Sequence, residues 1–69
     1  MLPNLKAEMA RNGIKNKDVA LAAGVSERTV FSWINENGEP GVWQARSIKR
    51  AFFPGLDFDY LFDDVPKPA

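Results

Sequence analysis

Apolar residues recur along this chain at intervals of three and four, the spacing that places side chains on one face of an α-helix. Clusters of glycine, asparagine and proline separate the apolar stretches and interrupt the helices. No strand pattern extends over more than a few residues. The sequence therefore predicts an all-α fold. The five predicted helices cover residues 4–12, 16–23 (Asn16 or Lys17 being the first), 27 to about 35, 42–53 and 58–62.

Residues with special backbone or capping properties mark the ends of these helices. Gly13 and Gly24 follow the first and second helices, where glycine adopts a left-handed backbone without steric cost. Ser26 is a good N-cap for the third helix, but Thr29 stands where a reciprocal capping box needs Glu or Gln. Asp57 is expected to cap the short fifth helix.

The aromatic residues divide into a predicted core set and a surplus set. The core set follows the inward stripes of the helices: Trp33, Phe52, Phe58 and Phe62. The surplus set lies on other helical phases and is expected to stay partly exposed: Trp43, Phe53 and Tyr60. Exposed aromatic residues on so small a chain indicate a partner surface, so these three are candidates for a homodimer interface.

Size and composition limit the possible functions. The 69 residues form one domain, predicted to span residues 1–62, and a short tail, 63–69, that is expected to be flexible. With no cysteine and no histidine, the chain has no disulfide, no thiol nucleophile and none of the usual zinc ligands. We therefore expect no enzyme, no metal site, no cofactor and no small-molecule ligand. No apolar run reaches membrane-spanning length and no signal peptide is recognisable, so a cytoplasmic protein is expected.

Charge is unevenly distributed along a chain whose net charge is zero. Residues 1–50 carry eight basic and five acidic side chains, a net charge of +3. Residues 51–69 carry one basic and four acidic side chains, a net charge of −3. A nucleic acid would be bound by the basic part, with the acidic end facing away from phosphate.

The segment from Asn16 to Asn35 has the pattern of a helix, a tight turn and a second helix. Ala20 is small at the place where two steeply crossing helices would touch, and Gly24 supplies the turn. Val30 is the buried β-branched residue of the second helix. These three residues stand at the spacing of a helix-turn-helix, which presents its second helix to the major groove of DNA.

Residues along most of the chain match one family. They are Gly13-Ile14, Val19-Ala20, Gly24-Val25-Ser26, Thr29-Val30, Pro40 and the ending from Asp57 to Phe62. Over roughly Leu5 to Phe62 the chain resembles the lambda-repressor-like Cro/CI (XRE-type) family of phage and bacterial regulators. Residues 51–62 look like small Cro-like regulators of prophages in Gram-positive bacteria. The resemblance implies a compact bundle of five helices in which helices 2 and 3 form the helix-turn-helix and helix 3 reads DNA.

Four residues of the predicted recognition helix point away from its apolar stripe and are candidates for contacts to bases. They are Glu27, Arg28, Phe31 and Ser32. Arg28 can bind guanine N7 and O6 with two hydrogen bonds, and Ser32 can bond to donors or acceptors on base edges. Glu27 can accept from a cytosine amine or orient Arg28, and Phe31 can pack on a thymine methyl group.

Residues on either side of that helix are candidates for contacts to phosphates. Lys15 and Lys17 supply charge at the start of helix 2, where the resemblance gives Asn16 the role of holding the DNA backbone. The family usually carries Gln at that position. After the recognition helix the candidates are Asn35, Asn37 and the Gly38 amide.

These observations lead us to expect a sequence-specific DNA-binding transcriptional regulator. A Cro-like repressor would occupy a palindromic operator on double-stranded DNA as a homodimer and exclude polymerase. Two alternatives stay open. The same fold can bind protein, as an anti-repressor or assembly factor, which the zero net charge and Glu27 favour. The size of the chain also suits the antitoxin of a toxin–antitoxin pair.

Overall fold

Five α-helices follow one another within residues 1–67, the part of the chain that the computed structural model describes. They are α1 (Pro3–Arg11), α2 (Asn16–Ala23), α3 (Glu27–Asn35), α4 (Val42–Phe52) and α5 (Phe58–Leu61). That part contains no strand, and its radius of gyration is 10.4 Å. None of its helices has both the length and the apolar character needed to cross a membrane. The predicted all-α fold is confirmed, and the helix ends lie within one residue of the predicted bounds.

Two glycines with left-handed backbones end the first two helices. Gly13 has a φ of 68° and Gly24 a φ of 71°. In the turn after α2, the Val25 amide donates to the Ala20 carbonyl at 3.0 Å, which satisfies a carbonyl at the end of the helix. The prediction of these two helix ends is confirmed, and only residues 24–26 separate α2 from α3.

The N-caps of α3 and α5 differ in their hydrogen bonding. Ser26 Oγ accepts from the Thr29 amide at 3.2 Å, as predicted, and no carboxylate completes a capping box. Asp57 stands at the N-cap of α5, but its side chain makes no capping hydrogen bond. The prediction of Asp57 as the N-cap residue of α5 is therefore confirmed, but the expected hydrogen bond to its side chain is absent. Its main chain starts the helix instead, since the Leu61 amide donates to the Asp57 carbonyl at 3.1 Å.

Every helix contributes one fully buried side chain to a single core. In chain order these are Leu5, Val19, Val30, Ile48 and Leu61, each of them completely shielded from solvent. Trp33 is buried as predicted, whereas Phe52 and Phe62 are partly buried against the core. Phe58 is also only partly buried, and its ring centroid lies 4.9 Å from that of Phe62. Each helix is too short to be stable by itself. Because all five helices contribute to one apolar core, tertiary packing stabilises them.

One residue of the surplus aromatic set is buried, and a second is half-buried. Phe53 is only 4% exposed and belongs to the core, so the prediction of an exposed Phe53 is wrong. The helical phase does not extend to it: α4 ends at Phe52, and Phe53 takes φ −135° and ψ 51°, which turns its side chain inward. Tyr60 is half-buried against the core, and its hydroxyl donates to Glu8 Oε2 at 2.7 Å. Tyr60 therefore stays partly exposed, as predicted, with its hydroxyl bonded to Glu8.

Asn4 joins the two ends of the chain from inside α1. Its side chain is buried, with 3% exposure. Asn4 Nδ2 donates to the carbonyls of Tyr60 and Val65, each at 3.0 Å, and Asn4 Oδ1 accepts from the Lys67 amide at 2.8 Å. The segment after α5, expected to be flexible, is thus hydrogen-bonded to α1 as far as residue 67. Residues 68–69 of that predicted tail lie outside the described part.

Glu8 is a buried carboxylate beside this junction, with 4% exposure. The hydrogen bond from the Tyr60 hydroxyl lowers the pKa of Glu8 most, and burial opposes that effect. A hydrogen bond and ion pair with Arg11 lower the pKa further. The net direction is a lowered pKa, so the carboxylate is held in its ionised form by its two partners.

Candidate nucleic-acid interface

The α2–α3 pair positions the surface on which the sequence predicted contacts to DNA. The two helices pack against each other across their short turn, with Ala20 5% exposed and Val30 fully buried. Val25 in the turn is partly buried against the core. α1 also packs on α3, so the apolar stripe of α3 is covered and its opposite side faces solvent. Ala20 and Val30 are buried between the helices, and Gly24 has a left-handed backbone in the turn.

Arg28 lies along the exposed side of α3 in contact with two other residues. Its guanidinium carbon is 5.1 Å from the centroid of the Phe31 ring. Its Nη2 donates to both carboxylate oxygens of Glu36, at 3.0 and 3.3 Å. The structure therefore brings together two predicted base-contacting residues, Arg28 and Phe31, and adds Glu36, which sequence reasoning missed.

The ion pair between Arg28 and Glu36 is accessible to solvent. The Arg28 side chain is 70% exposed and that of Glu36 is 44% exposed. Exposed pairs of this kind contribute about 0–1 kcal/mol, so a stronger acceptor can displace Glu36 at little cost. The sequence does contain one signal for this ion pair: Glu36 follows Arg28 by about two helical turns, which places the two residues on the same side of a helix.

Ser32 occupies a different environment from Arg28. It is half-buried, and the loop after α3 passes over it at Gly38. A Cβ at Gly38 would collide with Ser32 Oγ and would lie 3.1 Å from Trp33 Cδ1. Ser32 thus faces the α3–α4 loop, while Glu27, Arg28 and Phe31 are exposed.

The candidate phosphate-contacting residues lie at the beginning of α2 and after α3. Lys15 and Lys17 are exposed and Asn16 is half-buried. The Lys15 amide donates to the Asp18 carboxylate at 3.0 Å, which closes the first turn of α2. Asn37, beyond α3, is exposed.

Asn35 is connected to α1 by a hydrogen bond that the sequence did not indicate. Its Oδ1 accepts from Lys6 Nζ at 2.6 Å. Lys6 is 29 positions away in the sequence and is exposed. A further cation therefore stands at the C-terminal end of α3, where a phosphate would be expected.

The charge of this surface is close to neutral. Residues 15–39 contain three basic side chains, Lys15, Lys17 and Arg28. They contain four acidic ones, Asp18, Glu27, Glu36 and Glu39, so the segment has a net charge of −1. The basic excess of residues 1–50 therefore comes from α1 and α4, and α4 alone contributes Arg46, Lys49 and Arg50.

Trp43 is the one predicted dimer residue that is largely exposed in the described structure. Its side chain is 75% exposed, and the neighbouring Val42 is 61% exposed. The Arg46 guanidinium carbon lies 5.3 Å from the centroid of the Trp43 ring. Trp43 and Arg46 form a cation–aromatic pair on the surface of α4.

Comparisons with known proteins leave the interpretation to this geometry. No family model, no curated protein and no solved structure matches the chain. The assignment of a function therefore depends on what the exposed side of α3 and its flanks can bind.

Proposed function

We propose that this chain is a sequence-specific DNA-binding regulator built on a helix-turn-helix of α2 and α3, in a lambda-repressor-like arrangement. The observation that carries the proposal is the exposed side of α3, where Arg28 and Phe31 stand next to each other. The turn with a left-handed Gly24 and the small Ala20 between the helices support it. The most specific form of the proposal is a Cro-like phage or prophage repressor.

Arg28 would supply most of the sequence preference. With α3 in the major groove, its guanidinium would exchange Glu36 for guanine N7 and O6, two acceptors that match its planar fork. Phe31, under that guanidinium, would pack on a thymine methyl group. Glu27 would accept from a cytosine amine at the N-terminal end of the helix. Ser32, being half-buried by the loop, would reach fewer bases than Arg28.

The flanks of α3 would hold the DNA backbone. Lys15, Asn16 and Lys17 would contact phosphates before α3, and Asn35, Asn37 and the Gly38 amide would do so after it. Lys6 would join the second group through its bond to Asn35. Bound as a homodimer to a palindrome, two α3 helices would lie about 34 Å apart and exclude polymerase from the site.

An in vitro selection from random double-stranded DNA tests this proposal. The expected result is an enriched palindrome with half-sites about one helical turn apart. Arg28→Ala is expected to lose the preference at one position of each half-site, about 1–3 kcal/mol of discrimination. Arg28→Lys is the matched control, because it keeps the charge and loses the planar fork. A selection that enriches no sequence, or the same sequence for all three proteins, would contradict the proposal.

A protein-binding role is the second candidate, and the charge of residues 15–39 favours it. A net charge of −1, with Glu27 and Glu36 on the α3 side, gives little attraction for a polyanion. An anti-repressor or assembly factor would use the same exposed side of α3 on a protein partner. Retention on heparin and on random DNA at low salt distinguishes the two, since only the DNA-binding protein is expected to be retained.

A further inference from the structure

One side of α4 presents cations and an aromatic ring to solvent. Arg46 follows Trp43 by three positions and Arg50 follows it by seven, a spacing that places the three side chains along one side of the helix. All three are exposed, and Arg46 stands over the Trp43 ring. We call this surface the α4 face. Within residues 1–67 neither arginine forms a salt bridge.

A groove with acidic edges borders the same helix. Its volume is about 710 Å³, and apolar side chains line it, among them Leu2, Val42 and Phe58. Four carboxylates and one ammonium group also line it: Glu39, Asp59, Asp63, Asp64 and Lys67. We call it the acidic groove. Asp63 pairs with Lys67 at 2.7 Å, whereas the other three carboxylates have no salt bridge within the described residues.

The two surfaces are complementary in charge and in polarity. The α4 face offers two arginines and a large ring, and the acidic groove offers apolar side chains and four carboxylates, one of them paired with Lys67. An arginine between carboxylates forms charge-assisted hydrogen bonds, and the ring would cover apolar surface that solvent now reaches. Protein interfaces usually have few charged residues at their centre and more of them at their edge.

We propose that the acidic groove is occupied by the α4 face of a second copy of this chain. Val42 and Ala45 line the groove, and Trp43 and Arg46 are the next residues along the same helix. Because Trp43 and Arg46 lie in the same N-terminal half of α4 that borders the groove, a two-fold axis close to that half can bring each face against the other copy's groove. The contact then occurs twice, as a closed symmetric dimer requires.

The distribution of charge favours a second copy over a different protein. The net charge of the chain is zero, yet residues 1–50 carry +3 and residues 51–69 carry −3. The opposite charges of these two segments are complementary between copies. This pairing deepens the proposed function, since it names the surface of the proposed dimer. Its test uses no DNA, so its failure is distinct from a failure of DNA binding.

Sedimentation velocity of the full chain, without DNA, measures the pairing. We expect a monomer–dimer equilibrium for the wild type at sub-millimolar concentration. Trp43→Ala should raise the dissociation constant of the dimer at least about tenfold, because a buried aromatic at the centre of an interface is a frequent hot spot. Leu21→Ala is the matched control. It removes a different exposed apolar side chain, 83% exposed on α2, and should leave the dissociation constant unchanged.

A charge exchange tests the partner of each surface. Arg46→Glu with Arg50→Glu makes both surfaces acidic, and Asp59→Lys with Asp64→Lys makes both basic. Each double variant alone should be monomeric, because like charges then face each other. An equal mixture should form heterodimers, since each face meets a groove of opposite charge. Adding Trp43→Ala to the acidic variant should weaken the heterodimer, which excludes simple attraction between oppositely charged proteins.

All these substitutions fall on exposed side chains, and circular dichroism verifies that each variant keeps its helices. Three results would overturn the proposal. They are a wild type that stays monomeric over the whole range, double variants that dimerise as the wild type does, and a mixture that remains monomeric.

Discussion

Replacement of Gly24 by alanine isolates the backbone contribution of the turn between α2 and α3. Gly24 has a φ of 71°, a region that costs a residue with a Cβ about 1–2 kcal/mol. A Cβ at this position meets no heavy atom within 4 Å, so no clash adds to that cost. We therefore expect Gly24→Ala to lower the free energy of unfolding by about 1–2 kcal/mol, and Tm by roughly 4–16 °C for a domain of this size.

Two other glycines provide matched controls for this prediction. Gly13 also has a positive φ, 68°, and open space around its Cβ position, so Gly13→Ala should cost about as much. Gly55 has open space and no positive φ, so Gly55→Ala should stabilise by about 0.4–1 kcal/mol through the unfolded chain. Gly24→Asn should cost less than Gly24→Ala, because asparagine tolerates the left-handed region.

Urea denaturation followed by circular dichroism, at one fixed protein concentration, measures these differences. A Gly24→Ala variant as stable as the wild type would contradict this prediction. A Gly55→Ala variant as destabilised as Gly24→Ala would also contradict it, because the left-handed φ would then not be the cause.

Four further substitutions are expected to change the stability of the fold or its affinity for DNA. Asn4→Ala removes three hydrogen bonds of a buried side chain and should lower the free energy of unfolding by about 1–3 kcal/mol in urea. The pKa of Glu8 is lowered on folding, so the ionised carboxylate stabilises the fold fully above pH 4.5, its ordinary pKa. That stabilisation is lost as the pH falls through the lowered pKa. Glu8→Gln should therefore flatten the curve of unfolding free energy against pH in this acidic range. Glu36→Gln, which weakens the hold on Arg28, should raise affinity for DNA while changing stability by less than about 0.5 kcal/mol. Lys17→Ala should weaken binding to all DNA sequences alike and reduce the salt slope by roughly one unit in titrations at several salt concentrations.

The helices and turns could be predicted because their signals are local. Gly24 ends α2 and Ser26 caps α3 through bonds to residues within five positions. The apolar spacing of three and four correctly assigned Val30 and Trp33 to the core. Such features depend on a few neighbouring residues, which is the range over which a sequence pattern is informative.

The burial of Phe53 could not be predicted in the same way. Phe53 follows the last residue of α4, and an error of one residue in the helix end reverses which way its ring points. Asn4 and Glu8 read as ordinary polar positions of α1. The partners of Asn4, and Tyr60 as partner of Glu8, lie 52 or more positions away, so no pattern within α1 reveals them. Arg11, the other partner of Glu8, lies within α1 itself.

The sequence predicts which residues of the candidate site are exposed, but not which charged side chains bond to them. Arg28 and Phe31 are exposed on α3 as their phase indicated. The bond between Arg28 and Glu36 depends on where α3 ends and on how two long side chains lie along it. The bond between Lys6 and Asn35 depends on the packing of α1 against α3, which is a property of the tertiary structure.

The near-neutral charge of residues 15–39 connects the two proposals. Affinity for DNA grows with the number of phosphates that basic residues neutralise, and one copy offers few cations beside α3, chiefly Lys6, Lys15 and Lys17. A dimer doubles these contacts without adding a new one to either copy, and the second half-site is then bound at high effective concentration. Under the two proposals, binding of DNA and pairing of the α4 face with the acidic groove would strengthen each other by the same factor. It follows that Trp43→Ala, far from the bases, should weaken binding to a palindrome and leave binding to a single half-site unchanged.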